Sequence, residues 1–517
     1  SGRICDSVPP TRLSGRKGQP RAKVGTHARP IRSPALQAGS LHRIADASNA
    51  SCLRMKCPKL RDGNDLPDRV KDHAMSITRL YKRIVPASLR QRVAGLPWVE
   101  KRRNRQLVEE GKRLAVEAKA AQKSGVKKRV TFIVQRPALW PNQKSVYEAF
   151  KADPAWEVTV VAIPKRPPAA TDYDLAEFRR LMAFLESEHI DYRKGFDLEC
   201  NIWMNPMQFG LPDVVFLPQP YAHTQSYLYH SAYLRQFCRL AIYDYGMQVA
   251  DMEFMFHLPV YDDCQFIFLE SEAHRRLYLE RVPKLAGKLY VTGHPKMDVY
   301  RGALPKNMDL WKCPQAKKRV IWAPHFTVSN DRTPHTFSNF FKYFEFFVDF
   351  ALRHPDVELV MRPHPDLFEH MVAIGLKTRA EADAYRNRFG SLPNGQVYEG
   401  SEIFTMFRQS DALILDSISF LAEYLPTGKP ICFLDSARRQ RLNPMGEKLL
   451  HAYYAAWDTE EIEDFLVSVV LTGRDCREEE RRRAASQYLY WPPESAGEEI
   501  KRVVDRHLSS LAAEGPR

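Results

Sequence analysis

Short apolar, β-branched runs recur along most of this chain, separated by amphipathic stretches of helical length. The first is Val130-Thr131-Phe132-Ile133-Val134. Its length and branching read as a buried strand. From there the pattern gives a helix at 143–151, strand 158–163, helix 173–188, strand 214–217, helix 224–236, strands 240–243 and 266–269, helix 271–281 and strand 289–291. After Gly293 it restarts: strand 319–323, an aromatic-rich helix at 336–353, strand 357–361, helix 377–389, strand 396–398, helix 402–408, strand 412–415, helix 419–427 and strand 430–433. A helix at 495–512 ends the series. Repeated β-α order with wholly apolar short strands calls for parallel sheets covered on both faces. The expectation is α/β: two doubly wound, Rossmann-like domains, 127–300 and 301–494, facing a cleft and followed by a helical segment at 495–517. Ligands in such folds sit beyond the carboxyl ends of the strands.

Charge separates the N-terminal quarter from this body. The 517 residues carry a formal charge of +15. Residues 1–128 hold 30 Lys+Arg against 10 Asp+Glu, while the remainder holds 47 against 52. A nucleic-acid binder with charge over its whole surface does not fit that distribution. Residues 1–74 are rich in Arg, Pro, Gly and Ser without apolar periodicity and read as a disordered basic tail. The chain opens at Ser1 and has a Met at 75, so 1–74 is either a native tail or sequence upstream of a start at Met75. Residues 75–126 read as a basic helical extension. Within it, 75–98 alternates apolar and basic positions and is broken at Pro86, a pattern suited to an anionic membrane surface or to packing on the body. Neither a secretory signal nor an apolar run of transmembrane length is visible. Nine scattered cysteines without a Cys-x-x-Cys pair read as reduced thiols of a cytoplasmic protein, peripheral on the inner face of the plasma membrane if 75–98 binds there.

Four polar segments follow strand ends. In Asp411-Ala412-Leu413-Ile414-Leu415-Asp416-Ser417-Ile418-Ser419 a strand ends at Asp416 and a helix follows. Ser419 suits an N-cap. Ser417, Ser419 and the amides of a helix start suit a diphosphate, and Glu423 one turn on suits ribose hydroxyls. Plain capping uses the same residues. In Arg362-Pro363-His364-Pro365 the prolines restrict the turn. An Arg–His pair suits a phosphate and its proton, since an ordinary His pKa near ~6.5 allows either a cation or a proton donor; a satisfied loop histidine is the alternative. Thr292-Gly293-His294-Pro295-Lys296-Met297-Asp298 brings His294 and Lys296 to the junction of the domains, or is simply a turn. Trp322-Ala323-Pro324-His325-Phe326-Thr327 places His325 and Thr327 beside the same cleft.

Taken in order, and with Gly428-Lys429-Pro430 beyond them, these segments resemble the CDP-glycerol glycerophosphotransferase family of teichoic-acid and capsule polymer biosynthesis. The resemblance covers about 127–510. It implies a GT-B fold and transfer of a glycerophosphate, or a related polyol phosphate or sugar, from a nucleotide-activated donor to a cell-envelope glycan or lipid-linked acceptor. It implies no cofactor and no bound metal. Catalysis would rest on His364, His294 and His325, and donor binding on Arg362, Asp416, Ser417, Ser419, Glu423, Lys296 and Thr327. The family usually has Gly-x-Pro-Arg-x-Asp, where this chain has Lys296 for the Arg. It usually has Asp-Tyr-Ser-Ser, where this chain has Asp416-Ser417-Ile418-Ser419. Its polymerases carry a Trp-His-Gly triplet, where this chain has Asp244-Tyr245-Gly246. Tyr245 then stands in the catalytic place, with Asp244 and Gly246 on the acceptor side. A phenol with a pKa near ~10 is a poor base at neutral pH. The spacing from Asp416-Ser417 to Gly428-Lys429-Pro430 also resembles the non-hydrolysing UDP-N-acetylglucosamine 2-epimerases, although Ile418 and Ser419 replace their paired glycines.

No P-loop, dinucleotide fingerprint, His-Glu-x-x-His or Gly-x-Ser-x-Gly occurs. The aromatic run from Phe337 to Phe350 has helical spacing and reads as core rather than as a base-stacking surface. Two classes of function stand: a transferase (or, by the second resemblance, an isomerase), and a non-catalytic nucleotide- or glycan-binding protein of an envelope assembly.

Overall fold

The computed structural model describes residues 97–120, 127–167, 172–243, 246–304, 309–328, 337–400, 402–437, 439 and 441–514. The expected tail at 1–74, nearly all of the basic segment 75–98, and Asp244 and Tyr245 lie outside the described residues, as does the side chain of Ser419. The chain divides into residues 1–110 and 111–517. Of the first, the described part is the beginning of helix Pro97–Ala120, a charged helix without a continuous apolar face. Both sheets belong to the second. Among the described residues no helix is long and apolar enough to cross a membrane.

The first sheet has seven parallel strands in the order β3-β2-β1-β6-β7-β8-β9. They are β1 (Lys128–Val134), β2 (Trp156–Ala162), β3 (Arg193–Lys194), β6 (Val214–Phe216), β7 (Arg239–Tyr243), β8 (Phe266–Leu269) and β9 (Leu289–Val291). A small antiparallel pair, β4 (Phe196–Asp197) and β5 (Ile202–Trp203), stands apart. Val130 is registered with Val158 on one side and Val214 on the other. Burial from both faces is what makes β1 apolar at Val130 and from Phe132 to Val134. Phe132 stacks on Phe216 with ring centroids 4.9 Å apart.

The second sheet has six parallel strands in the order β12-β11-β10-β13-β14-β15. They are β10 (Lys318–Ala323), β11 (Val357–Met361), β12 (Gly395–Val397), β13 (Ala412–Leu415), β14 (Ile431–Leu434) and β15 (Tyr454–Ala456). Helix Phe340–Arg353 covers one face, and its Phe340 and Phe347 stack on Trp322 with centroids 5.6 and 4.3 Å apart. Phe340, Tyr343, Phe344, Phe347 and Phe350 of the aromatic run are therefore core, while Phe341 is exposed. Helix Ala496–Glu514 then returns to the first sheet, where Ile500, Val503 and Val504 join the cluster around Val130 and Phe132. The Asp298 carboxylate accepts the Ala496 and Gly497 amides at 2.9 and 3.1 Å, holding the start of that helix.

Several expected elements differ. The helix expected at 224–236 is two short turns, Ala222–Thr224 and Tyr227–Tyr229, and a one-turn helix, Ser231–Leu234. Ser226 and His230 are extended and break it. The helix expected at 419–427 ends at Glu423. A separate turn, Leu425–Thr427, carries Pro426 and closes on Gly428 at φ 70°, a left-handed conformation that suits glycine. Ser419 is the first helical residue and not the cap; Ile418 takes the cap position without a side-chain hydrogen bond. Strand β15 and helix Leu367–Ala373 were not anticipated.

Strand order reverses between β1 and β6 in the first sheet and between β10 and β13 in the second. These are the switch points at which doubly wound sheets open a crevice.

Candidate active site

At the second switch point, Asp416 follows β13 directly with its carboxylate buried. The carboxylate accepts the His325 amide at 2.7 Å and the Asn339 amide at 2.5 Å. Burial pushes its carboxyl up to about 7 against the opposing pull of those two bonds. Asp416, expected to bind donor, is spent on fixing the loop after β10 and the start of helix Phe340–Arg353. Thr327 does similar work: its hydroxyl meets His325 Nδ1 at 2.8 Å and accepts the Phe337 amide at 2.9 Å.

The three candidate histidines share one local device. The amide two residues on donates to Nδ1: Thr327 to His325 at 3.3 Å, Asp366 to His364 at 3.1 Å, and Lys296 to His294 at 3.2 Å. An Nδ1 that accepts leaves the proton of a neutral ring on Nε2. The His325 and His364 ring centroids are 5.3 Å apart. Burial, then the charge of His364, pushes His325 down to about 3. Burial, then Arg136, Arg362 and Lys165, pushes His364 down to about 3. Of the two forms open to His364, cation or proton donor, the folded chain favours the neutral ring with an N–H to donate, because burial first and its cationic neighbours second disfavour the charge.

Arg362 is buried. It donates to the Pro363 carbonyl at 2.9 Å and the Gly400 carbonyl at 3.4 Å, and its Nε has no partner. Ser417 is buried at the end of β13.

The turn after β9 is otherwise engaged. Lys296 Nζ lies 2.8 Å from Glu423 Oε1, and both side chains are buried. Tyr300 donates its hydroxyl to the Glu423 carbonyl at 2.7 Å. Two residues expected to hold donor thus hold each other, joining the two sheets' loops. Met247, Val249 and Met297, from loops of the first sheet, sit in the core of the second. Ala250 bridges Leu442, and Asn443 Nδ2 donates to the Gln248 carbonyl at 2.7 Å. Gly293 has φ 75°, and a Cβ there would lie 2.6 Å from the Tyr490 carbonyl oxygen. The backbone it admits is the chain's own returning segment. Behind it, Glu270 pairs with His274 at 2.5 Å. Burial works to raise the Glu270 carboxyl, but His274 and His294 outweigh it and hold it below its ordinary value. Gly246 is half-buried beside Met247.

Some residues were missed. Arg136 stands two residues beyond β1 and Lys165 three beyond β2, and both help to hold the His364 pKa down. Burial and Arg136 push Lys165 down, against Asp366. Gln219 donates to Gln135 and, at 2.7 Å, to the Thr224 hydroxyl, tying the loops after β1 and β6. The available signal was position: Arg136-Pro137 follows its strand as Arg362-Pro363 follows β11. Among the described residues no group of three or more His, Cys, Asp or Glu could hold a metal ion.

No protein-family model matches this sequence, and no curated protein matches it. Solved structures do match in fold. A UDP co-structure of S. aureus MnaA has 15% identity and a TM-score of 0.50 over 74% of this chain and 97% of its own. A Listeria monocytogenes structure assigned as a UDP-N-acetylglucosamine 2-epimerase has 16% identity and a TM-score of 0.50 over the same shares, 74% and 97%. A variant of the wall teichoic acid polymerase TagF has 11% identity and a TM-score of 0.52 over 80% and 97%. At these identities the likeness concerns architecture, and the architecture is α/β and GT-B-like: two doubly wound domains facing a cleft.

Proposed function

We propose that this chain is a transferase. It would move a glycerophosphate, or a related polyol-phosphate or sugar unit, from a CDP- or other nucleotide-activated donor to a cell-envelope glycan or lipid-linked acceptor. The observation that carries the reading is the convergence of Arg362, His364 and His325 at the ends of β10 and β11, each histidine with its proton directed to Nε2. In phosphoryl transfer an acceptor oxygen forms a bond to phosphorus while the bond to a nucleoside monophosphate breaks. In glycosyl transfer a nucleoside diphosphate leaves. Either way the departing phosphate gains negative charge. A fixed guanidinium and a preorganised imidazole N–H stabilise that charge more in the transition state than before it. Ser417 and Ser419 are assigned to the donor phosphates, domain 127–300 to the acceptor and 301–494 to the donor. The reaction is assigned no cofactor. The basic stretch 75–98 is assigned to an anionic membrane surface.

A thermal-shift panel of CDP-glycerol, CDP-ribitol, UDP-sugars and GDP-sugars tests the reading, because the true donor stabilises the folded chain by mass action. Stabilisation by a CDP-polyol, with nucleotide release on adding acceptor, supports it; no stabilisation by any member sinks it. The second reading, an isomerase resembling UDP-N-acetylglucosamine 2-epimerase, is favoured by the epimerase motif spacing. Stabilisation by UDP-N-acetylglucosamine alone, with epimer formation seen by NMR, would establish it. Donor binding without turnover would leave the non-catalytic binding protein.

A further inference from the structure

We infer that the buried pair Glu270–His274 is a proton-dependent latch between the two sheets' halves: while the pair shares a proton, the His274 ring also holds the carbonyl at which the halves are joined. The inference stands independently of the transferase reading.

His274 lies in the first turn of helix Glu272–Arg281 and is 1% exposed. Its Nδ1 is 2.5 Å from Glu270 Oε1 and 3.4 Å from Ser271 Oγ, and its Nε2 is 2.8 Å from the Gln248 carbonyl oxygen. A carbonyl oxygen only accepts, so Nε2 carries a proton. A carboxylate only accepts as well, so a second proton lies between Nδ1 and Glu270. The pair thus holds one proton more than a carboxylate beside a neutral imidazole. The same Gln248 carbonyl accepts Asn443 Nδ2 at 2.7 Å, so one oxygen takes a donor from each half. Around it the Asp251 amide donates to the Arg441 carbonyl at 2.8 Å and the Asn443 amide to the Val249 carbonyl at 2.9 Å. Loss of the shared proton leaves two arrangements. With the remaining proton on Nε2, the Nδ1 lone pair faces the carboxylate. With it on Nδ1, the Nε2 lone pair faces the Gln248 carbonyl. Neither repulsion is screened in a buried site. One of the two bonds is given up, and the loop after β7 loosens from the second half.

Few other charges bear on the pair. Among the described residues, Glu270 also feels His294, whose Nδ1 accepts the Lys296 amide at 3.2 Å. Helix Glu478–Tyr488 packs on the His274 helix and brings Tyr488, whose phenol is pushed up by burial and stays neutral. Glu272 and Arg275, on the helix itself, are paired at 3.2 Å and keep their charges. The second half brings the uncharged Asn443.

The test is hydrogen exchange by mass spectrometry on the full chain, corrected for the intrinsic effect of pH, in peptides that contain Asp251 and Asn443. It compares about pH 7 with about pH 9, where an ordinary imidazole of pKa ~6.5 has long lost its extra proton. In wild type these peptides should exchange about tenfold faster at the higher pH, the worth of one charge-assisted hydrogen bond. Glu270→Gln should remove the difference, because an amide N–H can donate to Nδ1 of a neutral ring and leave Nε2–H on Gln248. His294→Asn, whose side-chain oxygen can take the Lys296 amide, should keep it. His274→Phe should exchange fast at both values; should that variant not fold, the other three chains decide. Wild-type exchange that ignores pH overturns the latch. So does a difference that persists in Glu270→Gln or vanishes in His294→Asn, or His274→Phe exchanging as slowly as wild type at about pH 7. Equal acceleration in peptides of β1 would mean general loosening and would overturn it too.

Discussion

The loops of the two sheets meet on two flanks of unlike chemistry. On one, the loops after β7 and β9 are fastened to the second sheet's side by carbon and by a buried ion pair. Met247, Val249 and Met297 enter the second core, Ala250 bridges Leu442, and Lys296 meets Glu423. On the other, the ends of β1 and β2 bring Arg136 and Lys165 toward His364 and Asp366 with no such seal. Polar residues are buried on both. On the first their partners are within the chain, so they serve stability. On the second, Arg136 meets Glu177 at 3.4 Å and Lys165 is opposed by Asp366, Glu177 and Asp174, while Arg362 keeps an unpartnered Nε; Arg362 and His364 are the groups assigned to a ligand under the transferase reading. Polarity and position at a strand end do not separate these roles; the partner does.

The largest expected effect breaks the fastened flank. Lys296→Met leaves the Glu423 carboxylate, 2% exposed, without its cation. Removing one member of a buried pair costs about 3–5 kcal/mol. The double variant Lys296→Met, Glu423→Leu should recover most of that, because no uncompensated charge remains. Urea unfolding measures both. A single variant within about 1 kcal/mol of wild type would mean that carbon alone closes this flank.

The next effect belongs to the open flank. His364→Ala should lower turnover with the stabilising donor roughly 100-fold, comparable to removing one oxyanion donor, and leave the melting temperature nearly unchanged. Turnover within a few-fold of wild type would move the chemistry to His325 or His294. The same ring predicts a pH dependence. His325 and His364 are held at about 3 in the folded chain, against an ordinary ~6.5 when unfolded. Below that value the unfolded chain takes up protons that the folded chain refuses. Stability should therefore fall as pH drops from about 6.5 towards 3, with no contribution from these rings above that range. His325→Asn with His364→Asn should flatten that part of the profile. An unaltered acid limb would show that the rings titrate normally.

A smaller effect separates two glycines of like conformation. Gly293 and Gly428 have φ of 75° and 70°, but a Cβ at Gly428 meets nothing within 4 Å, whereas at Gly293 it meets the Tyr490 carbonyl. Gly428→Ala should cost about 1–2 kcal/mol for the left-handed backbone alone. Gly293→Ala should cost about 1–3 kcal/mol more, by forcing the returning segment away. Equal losses in chemical denaturation would mean that this segment yields freely.

The alternation of strands and helices was legible because burial on both faces makes parallel strands uniformly apolar. The ends of β8, β9, β11 and β13 were placed within a residue on that basis. Strand β15, at the edge with Tyr454-Ala455-Ala456, has too short and mild a run to stand out. The histidines were legible because each follows a strand and stands next to proline. What Asp416, Lys296 and Glu423 do was not, since an N–H or ammonium partner 77 to 127 residues away leaves no local mark. Arg136 and Lys165 were passed over for the converse reason: the groups they act on electrostatically, His364 and Asp366, lie in the facing loop after β11.

The smallest effect sharpens the comparison at the point where the flanks adjoin. Ser417 stands two residues beyond β13, and the short helix that follows, Ser419–Glu423, ends at the residue that Lys296 holds. That helix has five residues and no side-chain cap. It offers less than the long helix terminus read from sequence, and what remains for a phosphate is hydroxyls and a few amides. Removing one neutral hydrogen bond is worth ~0.5–1.5 kcal/mol, and a charge-assisted one ~1.5–3. Ser417→Ala and Ser419→Ala should each weaken nucleotide-diphosphate binding by the lower of these amounts, a few-fold to about tenfold, without altering unfolding. If either variant instead loses stability in step with affinity, that serine fastens the chain as Glu423 does, and the boundary between the flanks shifts to include the end of β13. If neither changes nucleotide affinity, the donor phosphates rest on Arg362, His364 and the cations facing them, and the loop after β13 is only a turn.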